Sequence, residues 1–265
     1  MNIHVLVENN EGIGYESEHG LSLFLEIGEL KILFDTGQSA LFIKNAVKMG
    51  IDVNKAHFVV LSHGHYDHGN GLSYLINKEL VCHIGSFVKR FRNRDGSEIG
   101  LPLTLKEAQE RFILRMSDAP TELYKDVFFM GGIPRKYDFE SSKPFSYLES
   151  GQGDSILDDS ALVVKSEKGN IIISGCSHSG ICNIVDHAIS ITGDVRTYAI
   201  IGGLHLKHKD LQLEETIKYL NAIGVKKIYP IHCTDKLVVD HMKEKMLGTS
   251  VMTVRTGDAF TIVTK

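Results

Sequence analysis

The first third of the chain alternates short apolar runs with polar turns. Three of these runs predict successive strands, at residues 3–7, 21–27 and 31–35. The tight turn at 28–30 between the second and third runs is typical of a β-meander. Apolar residues near helical spacing from Leu41 to Met49, closed by Gly50, then predict a helix. The chain is therefore expected to open with a small antiparallel sheet and a helix.

The second half of the chain shows a similar pattern. Apolar runs predict four more strands, at residues 158–164, 171–173, 198–201 and 227–231. Helical patterns follow three of them, at residues 181–191, 210–224 and 236–246. Two halves, each with a sheet and helices, predict an α/β protein (α+β in some schemes) with two mixed sheets face to face and helices outside.

Residues 86–150 differ from both halves. The stretch contains a cluster of basic residues, a predicted helix from Leu105 to Met116, and a polar run that continues to Gly153. We interpret it as an insertion, or lid, that covers the functional site and selects the substrate. Its arginines Arg90, Arg92 and Arg94 could bind a phosphate group through paired hydrogen bonds. The alternative is that they belong to a solvated charged face.

The composition is that of an ordinary globular protein. The chain has 265 residues, of which 43% are hydrophobic, and a net charge of −4. We therefore expect neither nucleic acid nor a membrane as a partner, and a homo-oligomer is compatible with the sequence. The four cysteines have no CxxC spacing, and no leader pattern precedes residue 8. These features predict reduced thiols and a cytoplasmic location.

The densest group of chemically active side chains follows a predicted strand at residues 57–61. The segment Ser62-His63-Gly64-His65-Tyr66-Asp67-His68-Gly69 contains three imidazoles and a carboxylate within six residues. Neutral histidine and aspartate are common ligands of zinc, iron and manganese. His63 and His65 could face one ion, while Asp67 and His68 face a second. The alternative is a hydrated turn that binds no metal.

Histidines also follow three other predicted strands. Together, the strand ends that carry an imidazole are those before His63, His178, His205 and His232. Loops beyond one edge of an α/β sheet commonly form the functional site. Independent placement of histidines would not favour this repeated position, so the pattern predicts a shared site. In contrast, His83 alternates with apolar residues in a predicted strand and is interpreted as a structural residue.

The His-x-His-x-Asp-His pattern resembles that of the metallo-β-lactamase superfamily. This resemblance implies a single domain over residues 1–265, with a four-layer αβ/βα sandwich and the insertion at about 86–150. It also implies two divalent metal ions, with zinc expected and manganese or iron as alternatives. Asp35 precedes Thr-Gly at a strand end, as in the superfamily's first motif. It would accept a hydrogen bond from the segment 62–69, called the metal loop below, and hold its ligands in place. A plain turn residue is the other interpretation of Asp35.

The resemblance also suggests a ligand set. His63, His65 and His178 are assigned to the first ion, and Asp67, His68 and His232 to the second. The commonest family pattern has a bridging aspartate at a strand end where this chain has Gly175-Cys176. Cys176 could therefore bridge the ions, bind one of them, or only line the site. His205 could be a ligand, a proton donor to a leaving group, or a histidine with a structural role.

Three later segments narrow the resemblance. Gly-Cys-Ser-His-Ser-Gly-Ile, Gly-Gly-Leu-His-Leu and Ile-His-Cys-Thr look like the branch that contains the 7,8-dihydropterin-6-methyl-4-(β-D-ribofuranosyl)aminobenzene 5'-phosphate synthases. Three functions remain open. The first is a hydrolase of a phosphate-containing small molecule, with Asp67 orienting a metal-bound hydroxide. The second is the transferase implied by the branch, which joins a dihydropterin diphosphate to ribofuranosylaminobenzene 5'-phosphate. The third is a non-catalytic metal-bound sensor or scaffold.

Overall fold

The computed structural model describes residues 1–140, 144 and 146–265, and this part of the chain is mixed α/β. The strands are β1 (Asn2–Val7), β2 (Ser22–Ile27), β3 (Leu30–Phe34), β4 (Phe58–Val60), β5 (Glu79–Cys82), β6 (Arg90–Arg92), β7 (Ile113–Met116), β8 (Thr121–Tyr124), β9 (Val127–Phe129), β10 (Ser146–Leu148), β11 (Gly153–Asp154), β12 (Ala161–Ser166), β13 (Gly169–Ser174), β14 (Thr197–Gly202), β15 (Lys227–Pro230), β16 (Ser250–Val251) and β17 (Ala259–Thr261). The α-helices are α1 (Leu41–Lys48), α2 (Tyr66–Gly69), α3 (Leu105–Arg111), α4 (Ile181–Thr192), α5 (Leu211–Ile223) and α6 (Lys236–Lys245).

Contacts divide the chain into two compact units. Unit 1 comprises Met1–Asp118, a segment that ends at Asp158, and Arg255–Val263. Unit 2 comprises a segment that begins at Ala119, then Asp159–Val254, and the last two residues.

Unit 1 contains a seven-stranded sheet in the order β17-β1-β2-β3-β4-β5-β7. The pairs from β17 to β3 are antiparallel, whereas β3, β4, β5 and β7 run parallel. Helices α1 and α3 bury Phe42 and Ala108 against sheet residues such as Leu33 and Val59. Because β3 and β4 are parallel and pair Phe34 with Val60, the loops that follow them leave from the same edge of the sheet. This edge carries Asp35 and the segment 62–69.

A smaller sheet also belongs to unit 1, in the order β11-β10-β6. In it, β10 pairs antiparallel with both neighbours, and Tyr147 lies opposite Phe91. The rings of these two residues stack at 5.5 Å. Arg90, at the start of β6, is therefore part of a sheet.

Unit 2 contains a second seven-stranded sheet in the order β16-β15-β14-β13-β12-β9-β8. Its strands β13, β14 and β15 are parallel, so the loops after them share one edge. Helices α4, α5 and α6 contribute Ile184, Leu213 and Val238 to a core that also contains Ile172 and Ile200. The loops at the shared edge contain Cys176, His178, His205, His232 and Cys233.

The structure confirms the α/β class and the opening meander, and it changes the interpretation of residues 86–150. The predicted helix from Leu105 to Met116 is wrong in its second half, because the helix ends at Arg111 and Ile113–Met116 is the strand β7. Strands β8 and β9 pair within the sheet of unit 2. The segment supplies strands to both large sheets and to the small sheet β11-β10-β6, and its role as a lid stays a prediction. Residues 141–143 and 145 of the predicted lid lie outside the described residues.

No helix in the described part of the chain has both the length and the hydrophobicity needed to cross a membrane.

Candidate functional site

The segment 62–69 leaves the buried strand β4 and turns into the short helix α2. His63, His65, Asp67 and His68 are all buried. His63 Nε2 lies 2.9 Å from His65 Nδ1, and the two rings meet edge to face at 4.6 Å. Burial lowers the pKa of His65 to about 3, so its imidazole is neutral at physiological pH. A neutral imidazole is the form that binds a metal ion.

Asp35 lies at the end of β3, with a backbone φ of +56° and no solvent exposure. Its carboxylate accepts hydrogen bonds from Ser62 N–H at 2.8 Å and Ser62 Oγ at 2.7 Å. The His68 Nδ1 atom lies 2.7 Å from Asp35 Oδ2. Since the carboxylate accepts, His68 carries its proton on Nδ1, and Nε2 keeps the lone pair that a metal would need. Asp35 therefore fixes both the loop and the tautomer of one of its imidazoles.

Gly64 lies between the two histidines and has no room for a side chain. A Cβ atom there would lie 1.9 Å from the carbonyl oxygen of Ser86. Gly64 N–H donates to Asp158 Oδ2 at 2.7 Å, and Arg90 holds the same carboxylate with two N–H groups, at 2.8 and 3.2 Å. Burial by itself would raise the pKa of Asp158, but the Arg90 guanidinium holds it below its usual value. A buried ion pair thus supports the backbone between His63 and His65.

Arg90 was expected to bind a substrate phosphate, and its placement differs from that expectation. Its side chain is 1% exposed, and its Nε atom lies 3.1 Å from Asp154 while its terminal nitrogens contact Asp158. In the sequence, Arg90 looks like a surface residue because it lies in a basic cluster. In the structure, Asp154 and Asp158, which are distant in sequence, compensate its buried charge. Arg92 is half-buried and 3.8 Å from Asp95, and Arg94 is exposed and 3.1 Å from Asp95. The substrate roles of Arg92 and Arg94 stay predictions.

His19 was not among the predicted site residues, but it contacts the loop 62–69. Its Nε2 atom lies 3.1 Å from Asp67 Oδ2. His68 Nε2 lies 3.9 Å from the same oxygen. His19 occurs in a polar connection without periodicity, about fifty residues before Asp67, so no local signal links it to the loop.

In unit 2, the loop after β13 carries Cys176 and His178, both buried. Ser177 adopts a φ of +54°, and its hydroxyl donates to the carbonyl oxygen of Gly203 at 2.7 Å. Ser179 N–H donates to Asp159 Oδ2 at 2.8 Å. Positive φ values at residues other than glycine are costly and concentrate at functional sites.

The other two loops of unit 2 also contain strained residues. His205 and His232 have φ values of +50° and +53°. The His178 and His205 rings lie 4.5 Å apart. One ligand atom each from Cys176, His232 and Cys233 lies within 4.8 Å of the others. Cys233 was not among the predicted ligands, although its position directly after His232 indicated it.

Two cavities open in unit 1 near the metal loop. The larger has a volume of about 520 Å³, and its lining includes Tyr66 of the loop, Phe87, Lys89 and Leu101. The smaller, of about 320 Å³, is lined in part by His83, Arg90 and Asp158. The larger cavity combines aromatic and apolar walls with one cation, Lys89, and two carboxylates, Glu98 and Glu149, which suits a small organic molecule.

The family model of the metallo-β-lactamase superfamily matches residues 17–206. The chain belongs to this superfamily. A synthase from Methanocaldococcus jannaschii, 7,8-dihydropterin-6-methyl-4-(β-D-ribofuranosyl)-aminobenzene-5'-phosphate synthase, is 35% identical over 91% of this chain and 92% of its own length. An uncharacterized protein of the same organism is 31% identical over 88% of this chain and 90% of its own.

Among solved structures, Tm1679 is described as a metal-dependent hydrolase of the β-lactamase superfamily. It is 32% identical to this chain, covers 99% of both chains and superimposes with a TM-score of 0.88. The superfamily is generally hydrolytic and typically binds divalent metals. This chain thus has a metal-dependent hydrolase fold.

The side chains present suit a divalent metal. The groups are imidazole, carboxylate and thiol, which are the ligands of zinc and iron. In unit 1 the buried imidazole of His65 is neutral, and the contact of His68 with Asp35 leaves its Nε2 lone pair available. A carboxylate behind a ligating histidine is the usual support of a metal site.

Proposed function

We propose that this protein is a metal-dependent hydrolase of a phosphate-containing small molecule. The observation that carries the proposal is the buried set His63, His65, Asp67 and His68 in unit 1, with Asp35 holding His68 through a 2.7 Å contact. The likeness to Tm1679 over 99% of both chains supports the reaction class.

The proposed site contains two ions, with zinc expected and manganese or iron as alternatives; the cysteines beside the histidines favour zinc or iron over magnesium. His63, His65 and His178 would hold the first ion, and Asp67, His68 and His232 the second. Cys176 would bridge them, bind one or line the site. When bound, such ions polarise a phosphoryl group and lower the pKa of bound water to about 7.

The residues of the chain would supply position and proton transfer. Asp67 would accept a hydrogen bond from the attacking water and orient it, and His205 would donate a proton to the leaving group. Asp35 would keep His68 in the tautomer that binds metal. The 520 Å³ cavity beside Tyr66 would hold the organic part of the substrate. With a net charge of −4, the protein is expected to act on a small molecule rather than on nucleic acid.

A transferase is the second candidate, and the 35% identity to the M. jannaschii synthase favours it. In that case the same ions would bind a diphosphate leaving group while a carbon nucleophile displaces it. Such an enzyme needs two substrates and releases diphosphate. A hydrolase converts a single substrate and consumes water.

The test begins with purified protein of known metal content and a panel of phosphomonoesters, phosphodiesters and a dihydropterin diphosphate. We expect hydrolysis that a chelator abolishes and that His65→Ala lowers at least about 100-fold. His57→Ala, which removes an exposed imidazole of the same unit, is the control and should leave the rate unchanged.

Diphosphate release that requires both synthase substrates would establish the transferase instead. Metal-replete protein that turns over no member of the panel would support a sensor or scaffold and contradict both enzyme proposals.

A further inference from the structure

His19 was not predicted as a ligand, but it contacts a predicted ligand atom. Its Nε2 atom is 3.1 Å from Asp67 Oδ2.

The backbone around His19 is fixed on both sides. After it, Leu21 N–H donates to the carbonyl oxygen of Asp67 at 3.1 Å, and a Cβ at Gly20 would lie 2.6 Å from that same oxygen. Before it, the Glu18 carboxylate accepts hydrogen bonds from the backbone of Gln38 and the hydroxyl of Ser39, at 3.0 and 2.6 Å. The imidazole is therefore held at the carboxylate by the chain on either side of it.

The distance between His19 and Asp67 suits a shared ion. Two ligand atoms that each lie about 2.1 Å from a tetrahedral metal are roughly 3.4 Å apart. The 3.1 Å between His19 Nε2 and Asp67 Oδ2 is close to this value, and both residues belong to one group of side chains that could hold a metal ion. The side chain of His19 is 53% exposed, and an exposed histidine–carboxylate pair contributes little to the stability of the fold. Ion pairing with Asp67 therefore does not by itself explain why the backbone holds His19 at this carboxylate.

We propose that His19 is a ligand of the metal ion that Asp67 binds. The inference rests on the proposed function, because it adds a ligand to the second of the two ions. His19 would be one protein ligand more than the proposed set gives that ion, and catalytic zinc sites usually have three. The exchangeable position is then expected at the other ion, which has only His63, His65 and His178 as imidazole ligands.

The test measures metal binding directly on purified full-length protein. Zinc content after dialysis at a fixed free zinc concentration is compared for the wild type, His19→Ala and His19→Gln. Glutamine can still donate a hydrogen bond to Asp67 but is a poor zinc ligand. We expect both variants to bind the second equivalent of zinc about 10- to 100-fold more weakly. The first equivalent should bind as in the wild type.

His4→Gln is the matched control. His4 lies in β1, away from the metal loop, and its Nε2 atom is also 3.1 Å from a carboxylate, that of Glu26 in β2. It should bind zinc as the wild type does. Urea unfolding of each variant checks that the fold is intact, which is expected since His19 is half exposed.

Two results would overturn the inference. Retention of the second zinc in His19→Gln together with its loss in His19→Ala would make His19 a positioning residue that hydrogen-bonds Asp67. Wild-type binding in both variants would remove any metal role for His19. In either case, loss of one equivalent in His65→Ala would leave the proposed function standing. A wild-type protein that binds no divalent metal would contradict the proposed function itself.

Discussion

The histidine-bearing loops of the two units differ in what holds their backbone. In unit 1, the loop 62–69 rests on Asp35 and on Asp158, whose pKa the nearby Arg90 keeps below its usual value. In unit 2, the loop 174–180 leads into α4, whose first N–H groups donate to a buried glutamate.

That glutamate is Glu140, which accepts from Cys182 and Asn183 N–H at 2.8 Å each. Burial outweighs these donors and raises its pKa to about 7. One loop is therefore held by a charge-compensated carboxylate, and the other leads into a helix held by a carboxyl group that titrates near neutrality. The comparison teaches that similar loops can depend on pH in different ways. Glu140→Gln tests this difference, and the other substitutions test what holds each loop.

Asp158→Ala should have the largest effect on stability. It leaves the buried guanidinium of Arg90 with Asp154 as its remaining carboxylate and removes the acceptor of Gly64 N–H. Breaking a buried pair from one side typically costs 3–5 kcal/mol, so we expect a loss of about 4 kcal/mol in the free energy of unfolding, measured in urea. The control Glu149→Ala removes an exposed partner of Lys89 and should cost less than about 1 kcal/mol. Equal losses in the two variants would contradict the role of Asp158.

Gly64→Ala probes the same loop without changing a charge. The new Cβ would meet the Ser86 carbonyl oxygen at 1.9 Å, so the backbone between His63 and His65 must move. We expect a loss of about 3 kcal/mol in the free energy of unfolding and weaker zinc binding. Gly28→Ala is the control, because a Cβ there meets nothing within 4 Å and the cost is that of a positive φ alone, about 1 kcal/mol. Unchanged zinc binding by Gly64→Ala would show that the loop tolerates the shift.

The sequence predicted some of these features and missed others. The meander, the strand before His63 and the histidines after β13, β14 and β15 were predictable, because apolar periodicity and strand ends are local signals. The position of Arg90 was not, because its burial depends on carboxylates more than sixty residues away. The strand β7 was missed because it directly follows a helix and pairs with a distant strand, β5. His19 lay in a polar connection, where no periodic pattern exists.

Glu140→Gln tests the pH dependence of the second support. A carboxyl group whose folded pKa is raised from 4.5 to about 7 stabilises the fold fully below pH 4.5, and this contribution is lost as pH rises to about 7. Between pH 5.5 and pH 8, the wild type should therefore lose about 2 kcal/mol more than the glutamine variant, which does not titrate. The measurement is the free energy of unfolding in urea at both pH values. Because the folded pKa of Asp158 is lowered, its contribution is lost only on acidification and stays constant in this window. Parallel pH profiles for wild type and variant would contradict the account of Glu140.

The smallest expected difference is between two serines, one in each loop. Ser62 Oγ donates to the carboxylate of Asp35 and Ser177 Oγ donates to the carbonyl oxygen of Gly203, both at 2.7 Å and both buried. A hydrogen bond to a carboxylate contributes more than one to a neutral carbonyl, so Ser62→Ala should cost about 2 kcal/mol and Ser177→Ala about 1 kcal/mol. Urea midpoints measured side by side give the difference, and Ser22→Ala serves as a reference because its hydroxyl donates to a backbone carbonyl, that of Asp35, at 2.9 Å. If Ser62→Ala costs no more than the other two, the hydroxyl of Ser62 adds nothing to the support that Asp35 gives its loop through Ser62 N–H and His68.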